Sequence, residues 1–144
     1  MTDPYRLKRF TDAQDTGLYA QALAELRQGR KLSHWIWFVF PQIGGLGSSP
    51  MAVEYAVSGL DEARAYLAHP VLGPRLHEAA QALLGCGQTD PEAVLGCIDA
   101  LKVRSSMTLF HRADPGDPLF KAVLDAFYAG AEDQKTIALL GCRP

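Results

Sequence analysis

Four dipeptides that start helices are spread along the chain, and they constrain its fold more than any other feature. Ser or Asp is followed by Pro at Asp3-Pro4, Ser49-Pro50, Asp90-Pro91 and Asp117-Pro118. Ser and Asp side chains cap the free N–H groups of a first helical turn, and proline is favoured at the first helical position. A run with helical spacing follows each pair, whereas β-strand signals are nearly absent. The sequence therefore predicts an all-α fold.

Apolar periodicity predicts where the individual helices lie. Helices are expected over residues 17–28, 60–68, 74–84, 91–110, 118–129 and 133–140. Within 91–110 we expect Ile98 and Leu101 to continue the buried face. The short apolar run 33–40 suits a buried strand or a buried helix, and we interpret it as helix because no partner strand is visible. With no repeat and no linker, residues 1–144 are predicted to form one compact multi-helix domain.

Composition excludes several classes of function. The formal charge of −2 provides no bulk field that would draw the protein onto nucleic acid or an anionic membrane. The longest apolar run is far shorter than the roughly 20 residues that span a bilayer. Cys86, Cys97 and Cys142 form an odd set without CxxC spacing, and residues 1–10 lack the apolar region of a signal peptide, so a reduced, cytoplasmic protein is expected. Oligomeric state is left open.

Metal and cofactor sites are not expected from the sequence. The four histidines are scattered at separations that suggest no ligand array. The glycine-rich stretch lacks GxxxxGK[ST] spacing, and no strand precedes a GxGxxG, so ATP hydrolysis is not expected. We therefore predict no metal and no cofactor.

The stretch from His34 to Pro50 is the strongest candidate for a binding site. Six apolar residues run into Pro41, and a loop with Gly44, Gly45 and Gly47 precedes the cap residue Ser49. Glycines let the backbone approach another group closely, and free N–H groups at a helix start suit a phosphate or carboxylate. Gln42 and Ser48 belong to the same candidate loop. The alternative is a turn that binds nothing, since glycine turns before capped helices are common.

A second candidate lies in the segment from Asp99 to Thr108. On a helix Asp99, Lys102 and Ser106 share one face. If this helix faces the glycine loop, Lys102 would hold an anion while the hydroxyls of Ser105 and Ser106 supply neutral donors. The alternatives are a solvated Asp–Lys pair that contributes little and hydroxyls that bond to carbonyls of the preceding turn.

Candidate catalytic and stacking residues flank these segments. His34 is the only histidine near the glycine loop in sequence, and Asp99 or Glu54 would be its carboxylate partner in acid–base chemistry. Trp35 and Trp37 are two residues apart, so they point in different directions on a helix. One is expected to line a pocket and the other to fill the core, and Trp35 is our candidate for the pocket. Tyr55 is expected to turn its hydroxyl toward the loop.

Three blocks of the chain resemble the DUF1810 family. They are His34 to Tyr55, EARAYLAHPVLGPRL and DALKVRSSMTLF, which follow one another in the family's order. The opening DPYRLKRF and the closing phenylalanine-rich segment extend the resemblance over nearly the whole chain. The resemblance implies a mainly helical fold without an established activity. Some members carry the label calpastatin, but such inhibitors are disordered and polar, whereas this chain is 48% hydrophobic.

Two functions follow from these residues as hypotheses. The first is binding or hydrolysis of a small phosphate-bearing ligand of the nucleotide or ADP-ribose type at the glycine loop and Lys102. It requires that the loop and Lys102 line one pocket. The second is a non-catalytic interaction module that exposes an apolar patch of several hundred Å². A purely structural role for all three blocks is the remaining alternative.

Overall fold

A computed structural model describes residues 3–141 of the protein, and this part of the chain is all-α. The α-helices are α1 (Lys8–Ala13), α2 (Tyr19–Gln28), α3 (Ile36–Val39), α4 (Pro50–Glu54), α5 (Leu60–Ala68), α6 (Leu72–Leu84), α7 (Pro91–Leu95), α8 (Cys97–Ala113), α9 (Pro118–Tyr128) and α10 (Gln134–Leu139). A π-helical turn, Gln14–Leu18, joins α1 to α2. Cys142 lies outside the described residues.

Three of the four predicted helix starts are confirmed. The side chains of Ser49, Asp90 and Asp117 each accept a hydrogen bond from a backbone N–H in the first turn, with proline behind them. Asp3 differs from the other three, because no helix begins directly after it. Its carboxylate accepts hydrogen bonds from the N–H groups of Leu7 and Lys8, further along the chain. Helix α1 therefore begins at Lys8, in the turn that Asp3 organises.

The predicted helix over 91–110 is wrong in one respect, since Gly96 divides it into α7 and α8. Gly96 has φ of 82°, in the left-handed region that favours glycine. The break rotates the start of α8 relative to α7, so Ile98 and Leu101 do not continue the buried face. Their exposed fractions are 66% and 63%. The period on α8 shifts, and its buried face instead includes Ala100 and Val103.

The run 33–40 is helical, as predicted, but its helix α3 is only four residues long. It lies in the core with Trp35 and Phe40 fully buried beside it. Beyond Pro41 an isolated parallel bridge pairs Ile43 with Val57, with Gly44 N–H donating to the Val57 carbonyl at 2.8 Å. This bridge closes the segment that contains the glycine-rich loop and α4.

Helix α8 is the centre of the core. It packs against α5, α7, α9 and α10, while α6 packs against α2, α5 and α9. Aromatic rings run through the middle in the order Phe10, Tyr66, Phe110 and Phe120, with successive centroids 5.1, 5.3 and 5.9 Å apart. Such ring pairs add stabilisation beyond the burial of their area. No helix within residues 3–141 is long and apolar enough to cross a membrane.

A histidine–aspartate pair joins α6 to the start of α9. The Nε2–H of His77 donates to Asp117 at 2.5 Å, and its Nδ1–H donates to the Gly73 carbonyl at 2.8 Å. Partial burial alone would lower the pKa of His77, but these two hydrogen bonds and the Asp117 charge outweigh it and raise the pKa. A histidine with both ring nitrogens donating is the charged form.

The pair predicts a pH-dependent contribution to stability. The pKa of His77 is raised in the folded state, so its contribution is fully present below the unfolded value of about 6.5 and is lost as pH rises through the folded value. We expect His77→Gln to lower the free energy of unfolding more at pH 6 than at pH 9. Urea unfolding of both proteins across this range measures the difference. An equal loss at the two pH values would contradict the prediction.

Candidate functional site

An open cleft of about 430 Å³ lies between the glycine-rich loop and the first turns of α8. The loop and α8 form two walls of the cleft, and the start of α10 forms a third. Its lining combines apolar, hydroxyl and charged side chains, namely Gln42, Leu46, Gly47, Ser48, Ser49, Ala52, Ile98, Leu101, Lys102, Arg104, Ser105, Asp133 and Lys135. The loop and Lys102 therefore line one cleft.

The glycines of the loop lie close to other parts of the protein. A Cβ on Gly44 would lie 3.3 Å from the Cβ of Ala56, and one on Gly47 would lie 3.0 Å from the Cβ of Ala52. Gly45 has φ of 101°, and a Cβ there would lie 3.1 Å from Leu139. The atoms that lie close to these glycines therefore belong to the protein itself, whereas the sequence suggested that a ligand would lie there. Gly47 alone of these three glycines lines the cleft.

The α8 wall follows directly from helical spacing. Ile98, Leu101, Lys102 and Ser105 stand at positions i, i+3, i+4 and i+7, which form one face. Ser106 is one residue further on, about 100° around the helix, and it is fully buried. Ser106, which the sequence predicted as a ligand residue, therefore does not line the cleft.

Lys102 is held above an aromatic ring at the edge of the cleft. Its Nζ lies 5.0 Å from the centroid of the Trp37 ring and 3.7 Å from Oδ1 of Asp99. The other carboxylate oxygen of Asp99 lies 2.9 Å from the Nζ of Lys31. Asp99 is thus bound by two ammonium groups and does not line the cleft, so the structure does not support it as a partner in acid–base chemistry.

The α10 side of the cleft is organised by Asp133. Its carboxylate accepts from the Thr136 hydroxyl at 2.6 Å and from the Ser105 hydroxyl at 2.8 Å. Burial alone would raise the pKa of Asp133, but these hydrogen bonds outweigh it and lower the pKa. Asp133 is therefore ionised at neutral pH, and Ser105 serves as its donor. Lys135 follows with an exposed side chain.

Arg104 completes the link between α8 and α10. Its guanidinium donates to the carbonyls of Ala131 and Glu132 at 2.8 and 2.9 Å. These carbonyls are neutral, so Arg104 keeps its positive charge beside the cleft. The segment that carries Asp133 is fixed by this contact and by the N–H of Asp133, which donates to Thr108 Oγ1 at 2.9 Å.

Several other predicted site residues lie away from the cleft. Trp35, the predicted pocket residue, is instead fully buried, and its indole N–H donates to Glu25 at 2.9 Å. His34 is exposed and lines none of the clefts described around residues 3–141. Tyr55 lies behind the loop, beside a cavity of about 10 Å³ that Trp37 and Gly45 also line.

Sequence reasoning missed part of the lining, the residues Leu46, Ala52, Ile98, Leu101, Arg104, Asp133 and Lys135. Two signals were present. Gly96 marked a break that turns Ile98 and Leu101 outward, and Asp133 was expected to begin the last helix. What the sequence did not contain was the packing of α10 on α8. Among the described residues, no group of three or more His, Cys, Asp or Glu side chains forms a metal site.

Comparisons with known proteins agree with this fold. The family model described as "Protein of unknown function (DUF1810)" matches residues 4–140. The crystal structure of the conserved hypothetical protein Rv1873 from Mycobacterium tuberculosis, at 1.38 Å, is similar with a TM-score of 0.94 and 50% identity over 98% of this chain and 100% of that chain. No curated protein gave a significant match. The chain therefore belongs to the DUF1810 family.

Proposed function

We propose that the cleft binds a small cytoplasmic ligand with a phosphate group, of the nucleotide or ADP-ribose class. The observation that carries this proposal is that Lys102 shares one cleft with the hydroxyl-bearing residues Ser48 and Ser49. An ammonium group acts as a point charge for an anion, and hydroxyls supply further donors.

The size and lining of the cleft support a small molecule. Ligand pockets commonly occupy about 300–1,000 Å³ and combine apolar walls with a few polar groups. The cleft, at about 430 Å³, has the apolar side chains Leu46, Ile98 and Leu101 beside its polar ones. An anionic group at Lys102 with an apolar or planar body on these side chains would satisfy both kinds of surface.

The charge of the cleft supports an anion. Lys102, Arg104 and Lys135 line it together with the single carboxylate of Asp133. The whole chain has a formal charge of −2, so this cleft is locally opposite in sign to the protein. Local positive charge of this kind attracts and retains anions.

The proposal stops at binding. No histidine in the described part of the chain lines the cleft, and Asp99 is bound by two lysines. Asp133 lines the cleft, but three hydrogen bonds from Ser105 and Thr136 hold its carboxylate in the ionised form. Among the described residues that line the cleft, no acid–base pair therefore supports the hydrolysis that the sequence suggested.

Thermal unfolding with added ligand tests the proposal. We expect ADP-ribose or pyrophosphate, at about 100 times its dissociation constant, to stabilise the wild-type protein by about 2.7 kcal/mol. Lys102→Ala is expected to lose most of this stabilisation, because it removes the cation that faces the ligand. Lys121→Ala, on the exposed face of α9 and paired with Asp125 at 2.9 Å, is the matched control and should retain the shift.

The second candidate function is a protein-docking module. It is favoured by one observation, the exposure of Ile98 and Leu101 on the cleft wall, since large apolar side chains together in a groove suit an apolar partner segment. The same thermal experiment separates the two functions. An absence of any shift with phosphate compounds would contradict the ligand proposal and favour docking.

A further inference from the structure

A buried lysine behind the cleft bears on the charge of Lys102. Lys31 follows α2, and its side chain is only 7% exposed. Its Nζ lies 2.9 Å from Asp99 Oδ2 and 5.0 Å from the centroid of the Trp35 ring, and it donates to the Ser33 carbonyl. The cation is therefore held from several sides and does not line the cleft.

Asp99 is shared unequally between two lysines. The contact to Lys31 is 2.9 Å, whereas that to Lys102 is 3.7 Å and its lysine side chain is 25% exposed. Coulomb attraction grows as distance and local dielectric fall. A buried charge also depends strongly on its partner. Lys31 is therefore the main partner of Asp99.

This division leaves the Lys102 charge available to a ligand. Lys31 and Asp99 cancel each other, so the cluster of three carries one net positive charge, located at the cleft edge. Without Lys31, the Asp99 carboxylate would neutralise Lys102. We propose that Lys31 is a positioning residue: by neutralising Asp99 from behind, it keeps Lys102 free to bind the anionic group of the ligand. This inference rests on the proposed function.

The rival explanation is that Lys31 only fixes the segment after α2 to α8. Its backbone N–H does bond the Val94 carbonyl at 2.7 Å, so a structural contribution exists. The two explanations differ in what Lys31→Met does once the Asp99 charge is gone. If Lys31 is only structural, Lys31→Met affects anion binding equally with or without Asp99→Asn. If Lys31 acts by neutralising Asp99, Lys31→Met weakens binding only while the Asp99 carboxylate is present.

The test is a double-mutant cycle on Lys31 and Asp99 with inorganic pyrophosphate as the probe. Binding is followed by the amide ¹H–¹⁵N shifts of Gly47, Ser48 and Ser49. We expect Lys31→Met to weaken binding about three- to tenfold, because Asp99 then neutralises Lys102. Asp99→Asn should strengthen it by a similar factor. Lys31→Met should weaken binding much less when Asp99→Asn is also present, because no carboxylate is then left to neutralise Lys102.

An exposed pair elsewhere provides the matched control. Lys121 and Asp125 form a contact of 2.9 Å on α9, and neither lines the cleft. Lys121→Met and Asp125→Asn change the net charge of the protein by the same amounts. We expect neither to change pyrophosphate affinity beyond about twofold at physiological salt, because both charges are exposed and salt screens exposed charges.

The outcomes separate this inference from the proposed function. If pyrophosphate leaves the wild-type amides unchanged, both are contradicted. If the wild type binds but Lys31→Met weakens binding equally with and without Asp99→Asn, only the role of Lys31 is contradicted. If Lys31→Met does not fold, Lys31→Gln replaces it in the same comparison: a loss of affinity that Asp99→Asn abolishes supports the inference, and an equal loss in both backgrounds overturns it.

Discussion

Arg9→Ala is expected to lower the free energy of unfolding by about 3–5 kcal/mol, the range for breaking a buried ion pair from one side. The side chain of Arg9 is 9% exposed, and its Nη2 lies 2.9 Å from Glu62, which is also buried. The guanidinium also donates to backbone carbonyls of two segments, those of Tyr5, Arg6, Glu54 and Ala56. Removal would leave the Glu62 carboxylate buried without its cation.

The matched control for this prediction is Arg6→Ala. Arg6 is 67% exposed and forms a surface contact of 3.4 Å with Glu54, so we expect a loss below about 0.5 kcal/mol. Urea unfolding with a common m-value measures both variants. A loss below about 1 kcal/mol for Arg9→Ala would contradict the prediction. Arg9→Lys is expected to remain destabilised, since an ammonium cannot reproduce the planar set of donors.

Glu25→Ala is expected to be the second most damaging of the substitutions considered, with a loss of about 3–4 kcal/mol. The buried carboxylate accepts from the N–H groups of Leu32 and Ser33, the Ser33 hydroxyl and the Trp35 indole at 2.5–3.0 Å. Burial alone would raise the pKa of Glu25, but these donors lower it to about 2. The substitution would leave the indole N–H of Trp35 buried without its acceptor.

The lowered pKa fixes the pH dependence of this loss. A carboxylate whose folded pKa is depressed contributes stability above its unfolded value of about 4.3, and that contribution disappears as pH falls through about 2. The difference in free energy of unfolding between wild type and Glu25→Ala should therefore be larger at pH 7 than at pH 2.5.

Gln21→Ala is the control for the Glu25 prediction. Gln21 is exposed and donates to the same carboxylate at 3.2 Å, so a loss below about 1 kcal/mol is expected. Equal losses for the two variants would contradict the assignment to Glu25.

Helices could be predicted from the sequence where a nearby residue, such as proline, determines where the helix ends. Helix α5 runs over Leu60–Ala68, as expected, because Pro70 stops it. The prediction for 91–110 failed at Gly96 because an apolar period on both sides of a single glycine is compatible with one helix or two. The φ of 82° at Gly96 depends on how α8 packs, which is not a local property.

The candidate site was predictable in residue type but not in full composition. Lys102 and Ser48 stood out because charge and hydroxyl groups near glycines suggest anion binding. The choice between Trp35 and Trp37 required knowledge of Glu25, whose carboxylate fixes Trp35 in the core. Lys135 was not foreseeable, since it reaches the cleft only through the packing of α10.

The unequal fates of the two tryptophans have a practical consequence. Trp35 is sealed in the interior, whereas Trp37 has the Lys102 ammonium 5.0 Å from its ring centroid. These are the only tryptophans in the chain. Because indole emission responds to a nearby charge, Trp37 is a built-in optical label beside the Lys102 ammonium, and Trp35→Phe would leave it as the sole fluorophore of its kind. Occupancy can then be read without attaching a dye.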